Sequence, residues 1–178
     1  MRITGGSLRG RQVEAPQGII RPSMDRMRES IFGILGDLSG LSFLDLFSGS
    51  GIIALEAASR GAARIEAVES DPLKRKTLLK NVSISPVRIN CRFMFAELYV
   101  KRAKQSFDII FLDPPFPYGF KWKLLEAISV SPIVSSGSIM LIHRPDEDCQ
   151  RDPIALLERS DSRKYGRSVV DFFVATKG

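Results

Sequence analysis

The chain has 178 residues, of which 44% are hydrophobic and 26% are charged, and its 26 Lys and Arg residues against 20 Asp and Glu residues give a formal net charge of +6. This length predicts one domain, and the composition excludes a disordered chain, a collagen and a disulfide scaffold. The apolar stretches are too short to cross a bilayer, no signal-peptide core follows Met1, and the cysteines are Cys91 and Cys149. We therefore expect a reduced cytoplasmic protein that contacts no membrane.

Arginine is concentrated in the first 30 residues, which hold six Arg against three acidic residues and so carry a net +3, half of the total. The planar guanidinium suits two-point contacts with phosphate better than the Lys ammonium does. An arm that binds a polyanion and an ordinary solvated basic surface both fit this composition. The six arginines are Arg2, Arg9, Arg11, Arg21, Arg26 and Arg28.

The first predicted elements are a hairpin and a helix. Residues 2–14 contain two short extended segments around a Gly-containing turn, which is typical of a β-hairpin. Apolar residues at three-to-four spacing over residues 24–35 predict an amphipathic helix with Ser23 as its N-cap. We expect residues 1–40 to extend a single domain that covers residues 1–178.

Strand and helix patterns alternate through the rest of the chain. The predicted strands are 43–47, 64–69, 89–95, 107–112 and 138–142, and the predicted helices are 51–60, 72–82, 97–104 and 119–130. Residues 163–168 and 169–175 read as two adjacent strands with no helix between them, which predicts a hairpin. The sequence therefore predicts an α/β fold, a doubly wound and mostly parallel seven-stranded sheet with an antiparallel edge.

In such sheets ligands bind beyond the carboxyl ends of the strands, so the residues after each strand are candidate site residues. The first such segment has glycines that permit a tight turn before a helix N-terminus. A plain turn and a dinucleotide site both remain open, because residues 49–54 satisfy the loose G-x-G-x-x-A pattern. Asp45 disfavours a pyrophosphate and suits a cationic amino-acid group. The candidates are Asp45, Phe47, Ser48, Gly49, Ser50 and Gly51.

The second segment is Glu69 and Ser70, about twenty residues after the glycines. A carboxylate at this distance can accept hydrogen bonds from the hydroxyls of a ribose. Nucleoside cofactors of several kinds share this feature, and a surface acid that caps the next helix would look the same. The segment therefore predicts a nucleoside cofactor without choosing one.

The third segment, Asp113, Pro114, Pro115 and Phe116, follows an apolar strand directly. The prolines remove backbone N–H donors and keep the chain extended, so the Asp113 carboxylate and the Pro114 carbonyl present acceptors outward. Two acceptors without competing donors suit an exocyclic amine. Phe116 offers a face for a stacked base, worth about 1–3 kcal/mol. A buried turn with a packed Phe is the alternative.

These motifs carry a family resemblance. The pattern D-x-F-x-G-x-G at 45–51 followed by D-P-P-F at 113–116 resembles the signature of S-adenosylmethionine-dependent amino-methyltransferases. With residues 5–11, 21–29 and 164–166 added, nearly the whole chain resembles the bacterial 16S ribosomal RNA guanine-N2 methyltransferases. This resemblance implies a Rossmann-like class I methyltransferase fold. It also implies that the protein uses S-adenosylmethionine as its cofactor and needs no metal.

The resemblance also implies roles for residues and partners. Asp45 to Gly51 would hold the methionine part of the cofactor, Glu69 and Ser70 its ribose, and Phe95 and Ala96 would lie near its adenine. Residues 113–116 would orient and stack the target guanine, with its N2 amine as the methyl acceptor. The partner would be 16S rRNA in the small ribosomal subunit or its assembly intermediate, bound by a monomer. The RNA-binding residues would be Arg9, Arg11, Arg21, Arg26 and Arg28.

Two positions depart from the family pattern. Phe95 stands where the family usually has Asp or Asn, and His143, the single histidine, stands where the fifth strand usually ends in an acid. We expect His143 to be a local hydrogen-bonding residue. Two other functions remain open. One is a DNA adenine or cytosine amino-methyltransferase, although this short chain shows no separate target-recognition domain. The other is a catalytically silent rRNA-binding assembly factor.

Overall fold

The computed structural model describes residues 1–15, 23–148 and 154–176. The helices are α1 (Ser23–Leu35), α2 (Ile52–Ser59), α3 (Arg75–Val82), α4 (Ala96–Arg102) and α5 (Lys121–Ser129). The strands are β1 (Ser42–Leu46), β2 (Arg64–Glu69), β3 (Ile89–Phe93), β4 (Ile109–Leu112), β5 (Ile139–Pro145), β6 (Leu157–Tyr165) and β7 (Ser168–Ala175). In the described part of the chain, no helix has the length and apolar character needed to span a membrane.

The strands form one seven-stranded sheet in the order β3-β2-β1-β4-β5-β7-β6. The first five strands pair in parallel, and β7 pairs antiparallel with both β5 and β6. This confirms the predicted doubly wound sheet with an antiparallel edge, the class I methyltransferase arrangement. The strand order reverses between β1 and β4, so the crevice for a ligand is expected beyond their carboxyl ends.

The sheet separates two hydrophobic cores because successive residues of a strand point to opposite faces. Phe43 of β1 packs with α1 and α2 on one face. Leu44 and Leu46 pack with α4 and α5 on the other. Asp45 shares the face of Phe43, which brings a carboxylate to the buried end of β1 beside α2.

The N-terminal arm, residues 1–15, packs along α2. Its hairpin is shorter than predicted, since the two segments meet in an isolated antiparallel bridge between Arg2 and Gln12. The Ser7 N–H donates to the Ser59 carbonyl at 2.7 Å, at the C-terminal end of α2. Gly6 is required there, because a Cβ at this position would lie 1.9 Å from the same carbonyl oxygen.

Two other boundaries differ from the sequence expectation. The predicted helix at 72–82 is divided into a 3-10 turn, Pro72–Lys74, followed by α3. Strand β6 begins at Leu157, six residues before the predicted start at 163. After the buried Leu157, the residues of this edge strand are polar and mostly exposed, so they show no alternation that would have revealed the strand.

Candidate functional site

A cavity of about 910 Å³ lies beyond the carboxyl ends of β1, β2, β4 and β5. Twelve of the fourteen residues predicted to serve catalysis or cofactor binding line this cavity. They are Asp45, Phe47, Ser48, Gly49, Ser50, Glu69, Ser70, Phe95, Asp113, Pro114, Pro115 and Phe116. The three sequence segments therefore meet in one place, as the strand-end rule requires.

The remaining two predicted residues, Gly51 and Ala96, do not line the cavity. Ala96 is 3% exposed, and its side chain packs in the hydrophobic core and does not face the cavity. Gly51 has a φ of 79° at the N-terminus of α2, and a Cβ there would lie 2.6 Å from the Leu78 Cδ1. Its role is to let the turn pass tightly over α3 into the helix.

The turn between β1 and α2 keeps open space beside its backbone. Phe47 has a φ of 66°, a conformation that is uncommon for a residue with a Cβ. Gly49 has a φ of 55°, and a Cβ added there would meet only the Phe47 carbonyl, at 4.0 Å. A ligand can therefore approach the Gly49 backbone directly, which the sequence pattern predicted.

Asp45 is a buried carboxyl group whose pKa is raised in the folded chain. Its side chain is 1% exposed, and its Oδ2 accepts a hydrogen bond from the Ala54 N–H at 3.2 Å. Its Oδ1 is buried and has no hydrogen-bond partner among the residues that the structure describes. Burial, together with the nearby charges of Asp113 and Glu69, raises the pKa of Asp45 to about 8. A bound cationic group would satisfy Oδ1 and favour the ionised carboxylate.

Glu69 supports the glycine turn as well as facing the cavity. Its Oε2 accepts a hydrogen bond from the Gly49 N–H at 2.7 Å, and its Oε1 accepts one from the Asp71 N–H at 2.8 Å. Each carboxylate oxygen can accept a second hydrogen bond, so capacity for ribose hydroxyls is retained. The 3-10 turn is capped by Asp71, whose Oδ1 accepts from the Leu73 N–H.

The segment after β4 is fixed at both ends. The Asp113 N–H donates to the Leu46 carbonyl at 3.2 Å, and the Tyr118 N–H donates to the Pro115 carbonyl at 2.8 Å. The buried Lys121 ammonium donates to the Phe116 carbonyl at 3.3 Å and pairs with Asp148. These contacts hold residues 113–116 in place against the cavity.

Two further side chains complete this wall. The ring of Tyr118 packs edge-on against Phe47 at 5.3 Å, and its hydroxyl donates to the Glu97 carboxylate. His143 lies beside Asp113, with its Nδ1 at 2.8 Å from the Asp113 Oδ1. The sequence analysis expected only a local hydrogen bond for His143, which lies within β5, next to the residue that pairs with the end of β4.

The predicted RNA-binding arginines are not equivalent. Arg9, Arg11 and Arg26 are exposed, and Arg21 lies outside the described residues. The tip of the arm lies beside Ser59, at the C-terminal end of α2, a helix of eight residues that is about 12 Å long. An RNA that contacts both the tip and the cavity would span two or more nucleotides.

Arg28, which was predicted to bind RNA, differs from the exposed arginines because it is buried. Its side chain is 1% exposed, and it pairs with Asp25 at 2.7 Å and with the fully buried Glu56 at 3.4 Å. Its guanidinium also donates to the Arg2 carbonyl at 2.8 Å. Glu56 accepts from the Thr4 N–H at 2.8 Å and pairs with Arg60. Arg28 and Glu56 therefore attach the arm to α1 and α2.

Comparison with known proteins agrees with this geometry. Residues 1–174 match the protein family described as "Conserved hypothetical protein 95". A relative from Escherichia coli strain K12, named "Ribosomal RNA small subunit methyltransferase D", is 35% identical over 123 residues, which cover 67% of this chain and 62% of that protein. The matched region thus spans less than two thirds of the length of this relative.

A second relative and a solved structure match over longer spans. A protein of the same name from Buchnera aphidicola of Acyrthosiphon pisum is 28% identical over 150 residues, 80% of this chain and 76% of that one. The solved structure of yhhF from Escherichia coli has a TM-score of 0.90 and 26% identity, covering 100% of this chain and 99% of that chain.

Proposed function

Because the chain belongs to the family described as "Conserved hypothetical protein 95", and relatives that it resembles are named ribosomal RNA small subunit methyltransferases, we propose that it is a methyltransferase of the same kind. It transfers a methyl group from S-adenosylmethionine to the exocyclic N2 amine of a guanine in 16S rRNA.

The observation that carries this proposal is the meeting of two kinds of acceptor in one cavity. On one side, the buried Asp45 Oδ1 lacks a partner among the described residues and suits the ammonium of an amino acid. On the other, the Asp113 carboxylate and the Pro114 carbonyl precede the ring of Phe116. A site for a cationic amino-acid cofactor and a site for an exocyclic amine are what a methyl transfer to a base requires.

The cavity residues fit S-adenosylmethionine part by part. Asp45 would hold the ammonium, Glu69 the ribose hydroxyls, and Phe95, whose ring is 68% exposed, would stack on the adenine. Stacking by Phe95 would replace the polar contact that the family usually makes at this position. The cofactor, when bound, supplies a methyl group on a positively charged sulfur, which is already a strong electrophile.

The chain's own residues then orient the nucleophile. Asp113 and Pro114 each accept one N–H of the target amine, so its lone pair points toward the cofactor side of the cavity. Phe116 stacks on the base, which must leave its helix to enter the cavity. Alignment and the exclusion of water lower the barrier, and little acid–base chemistry is needed.

The substrate is held by phosphate contacts from the exposed faces of the arm and of α1. Arg9, Arg11 and Arg26 are exposed and would position the RNA without reading its sequence. We expect the partner to be the small subunit or its assembly intermediate in the cytoplasm. We expect the protein to act as a monomer.

The experiment is transfer of labelled methyl from S-adenosylmethionine to small subunits that lack base methylation, followed by mass analysis of the nucleosides. N2-methylguanosine is the expected product. Label that enters duplex DNA and not rRNA would contradict the proposal and favour a DNA amino-methyltransferase. A chain that binds RNA but no cofactor would also contradict it and favour a silent assembly factor, with Phe95 as the residue that displaces the cofactor.

A further inference from the structure

Asp113 and His143 are brought together by the register of the sheet. Strands β4 and β5 are parallel neighbours in which Leu112 pairs with Ile142, so the next residue of each strand emerges at the same level. The His143 Nδ1 lies 2.8 Å from the Asp113 Oδ1. The contact is therefore set by the register of β4 and β5, with Asp113 directly after β4 and His143 within β5.

The partner of His143 determines its tautomer. An ionised carboxylate only accepts hydrogen bonds, so Nδ1 must carry the proton that is donated to Asp113. In the neutral ring Nε2 is then a bare acceptor, and it is buried without a partner in the described part of the chain. The ring is further confined by Phe116, which contacts it edge-on at 5.4 Å. Since its nitrogens do not face open solvent, His143 acts through Asp113.

We propose that His143 is a positioning residue, which holds the Asp113 Oδ1 through its Nδ1–H so that Oδ2 faces the target amine. This inference rests on the proposed methyl transfer. The side chain of Asp113 is 27% exposed, so without this contact its carboxylate could rotate and exchange the two oxygens. An in-line transfer loses rate when the nucleophile is misaligned by about 1 Å.

The transfer balances with these groups alone. The amine nitrogen uses its lone pair to form the bond to the methyl carbon, and the sulfur keeps the electron pair of the broken S–C bond. The nitrogen then loses one proton to the Asp113 Oδ2, which passes it to water. His143 keeps its own proton throughout, and only its hydrogen bond to Oδ1 is used.

The first test reads the tautomer directly and needs no substrate. The chain contains one histidine, so the imidazole signals of a nitrogen-15 NMR spectrum come from His143 alone. We expect the Nδ1–H tautomer in the wild-type chain and a shift toward the Nε2–H tautomer in Asp113→Ala. An Nε2–H tautomer in the wild-type chain would overturn the inference, whatever the activity of the protein.

The second test separates positioning from packing. His143→Leu fills the space but donates nothing, whereas His143→Asn places an amide N–H where Nδ1 lies. With one hydrogen bond to a charged group lost, kcat of the Leu variant should fall about 10- to 100-fold, with the KM values for cofactor and subunit within about twofold of wild type. The Asn variant should recover most of the kcat.

Three results would overturn the inference: wild-type kcat in the Leu variant, a Leu variant whose KM values rise while kcat holds, or an Asn variant as slow as Leu. If the Leu variant does not fold, His143→Gln replaces it, because its amide lies beyond the Nδ1 position and should not restore kcat. The Nδ1–H tautomer in a wild-type chain that methylates nothing would count against the proposed function and leave the contact standing.

Discussion

Asp45 gives the sharpest prediction because its burial has a measurable consequence for proton binding. With its pKa raised to about 8 by burial, the carboxyl is mostly protonated at neutral pH. At pH 7 a group with this pKa holds about 0.9 of a proton, and at pH 9 about 0.1. An ammonium placed beside the Asp45 Oδ1 favours the ionised form. Binding of S-adenosylmethionine at pH 7 should therefore release close to one proton from this carboxyl.

The same rise in the pKa of Asp45 determines how the stability of the folded chain depends on pH. The folded chain holds this proton more tightly than the unfolded chain, whose Asp has a pKa of about 3.9. Its contribution to stability is therefore complete below about pH 4 and is lost as the pH rises toward 8. Bound cofactor should reduce this loss of stability, because its ammonium would pair with the Asp45 carboxylate.

The assay is titration calorimetry of cofactor binding at pH 7 in two buffers with different ionisation enthalpies. The difference in apparent enthalpy gives the number of protons released. Asp45→Asn cannot release this proton, so the buffer dependence should largely vanish along with much of the affinity. Asp37→Asn is the matched control, because Asp37 is exposed and caps Ser39 far from the cavity. Equal enthalpies in both buffers for the wild-type chain, or undiminished proton release in Asp45→Asn, would refute the reasoning.

Two other predictions concern the arm. Replacing Arg9 and Arg11 by Gln should weaken RNA binding and reduce the slope of log K against log salt by about one unit per lost phosphate contact, as measured by filter binding across a salt series. Replacing Glu56 by Ala removes the α2 carboxylate that pairs with the buried Arg28. This should lower the free energy of unfolding by about 3 kcal/mol, as measured in urea titrations.

Each of these predictions has a control of the same chemistry. Arg88 and Lys101 are exposed and lie outside the arm, so their double Gln variant removes the same charge without touching the predicted contact. An equal fall in slope for both pairs would show that only total charge matters. For Glu56, the control is Glu126→Ala on the exposed side of α5. A loss below about 1 kcal/mol in Glu56→Ala would mean that the Arg28–Glu56 pair contributes little to holding the arm.

The sequence located the site well because its motifs are local and follow strands. The turn at 45–51 and the segment at 113–116 each need only a strand before them, and the strand-end rule brings them together. Apolar periodicity also defined most strands and helices. The start of edge strand β6 was predicted six residues too late, because its polar, exposed residues show no hydrophobic alternation.

What the sequence could not provide were contacts that depend on distant parts of the chain. Arg28 looked like its exposed neighbours, and only its pairing with Glu56, 28 residues away, shows that it is buried. The path of the loop after β4 sets two such contacts. Lys121 donates to the Phe116 carbonyl, and the Tyr118 hydroxyl donates to Glu97. The Asp113–His143 pair could have been predicted from the strand register, because Leu112 pairs with Ile142 and the next residues along the chain are Asp113 and His143.

The central claim is that Asp113 orients the amine and does not hold the cofactor. Its most direct test is single-turnover methyl transfer to small subunits by the wild-type chain and by Asp113→Ala, with cofactor affinity measured on the same samples. We predict that Asp113→Ala binds S-adenosylmethionine within a few-fold of wild type but loses about 100-fold or more in the rate of transfer. Transfer at the wild-type rate by Asp113→Ala would contradict the account.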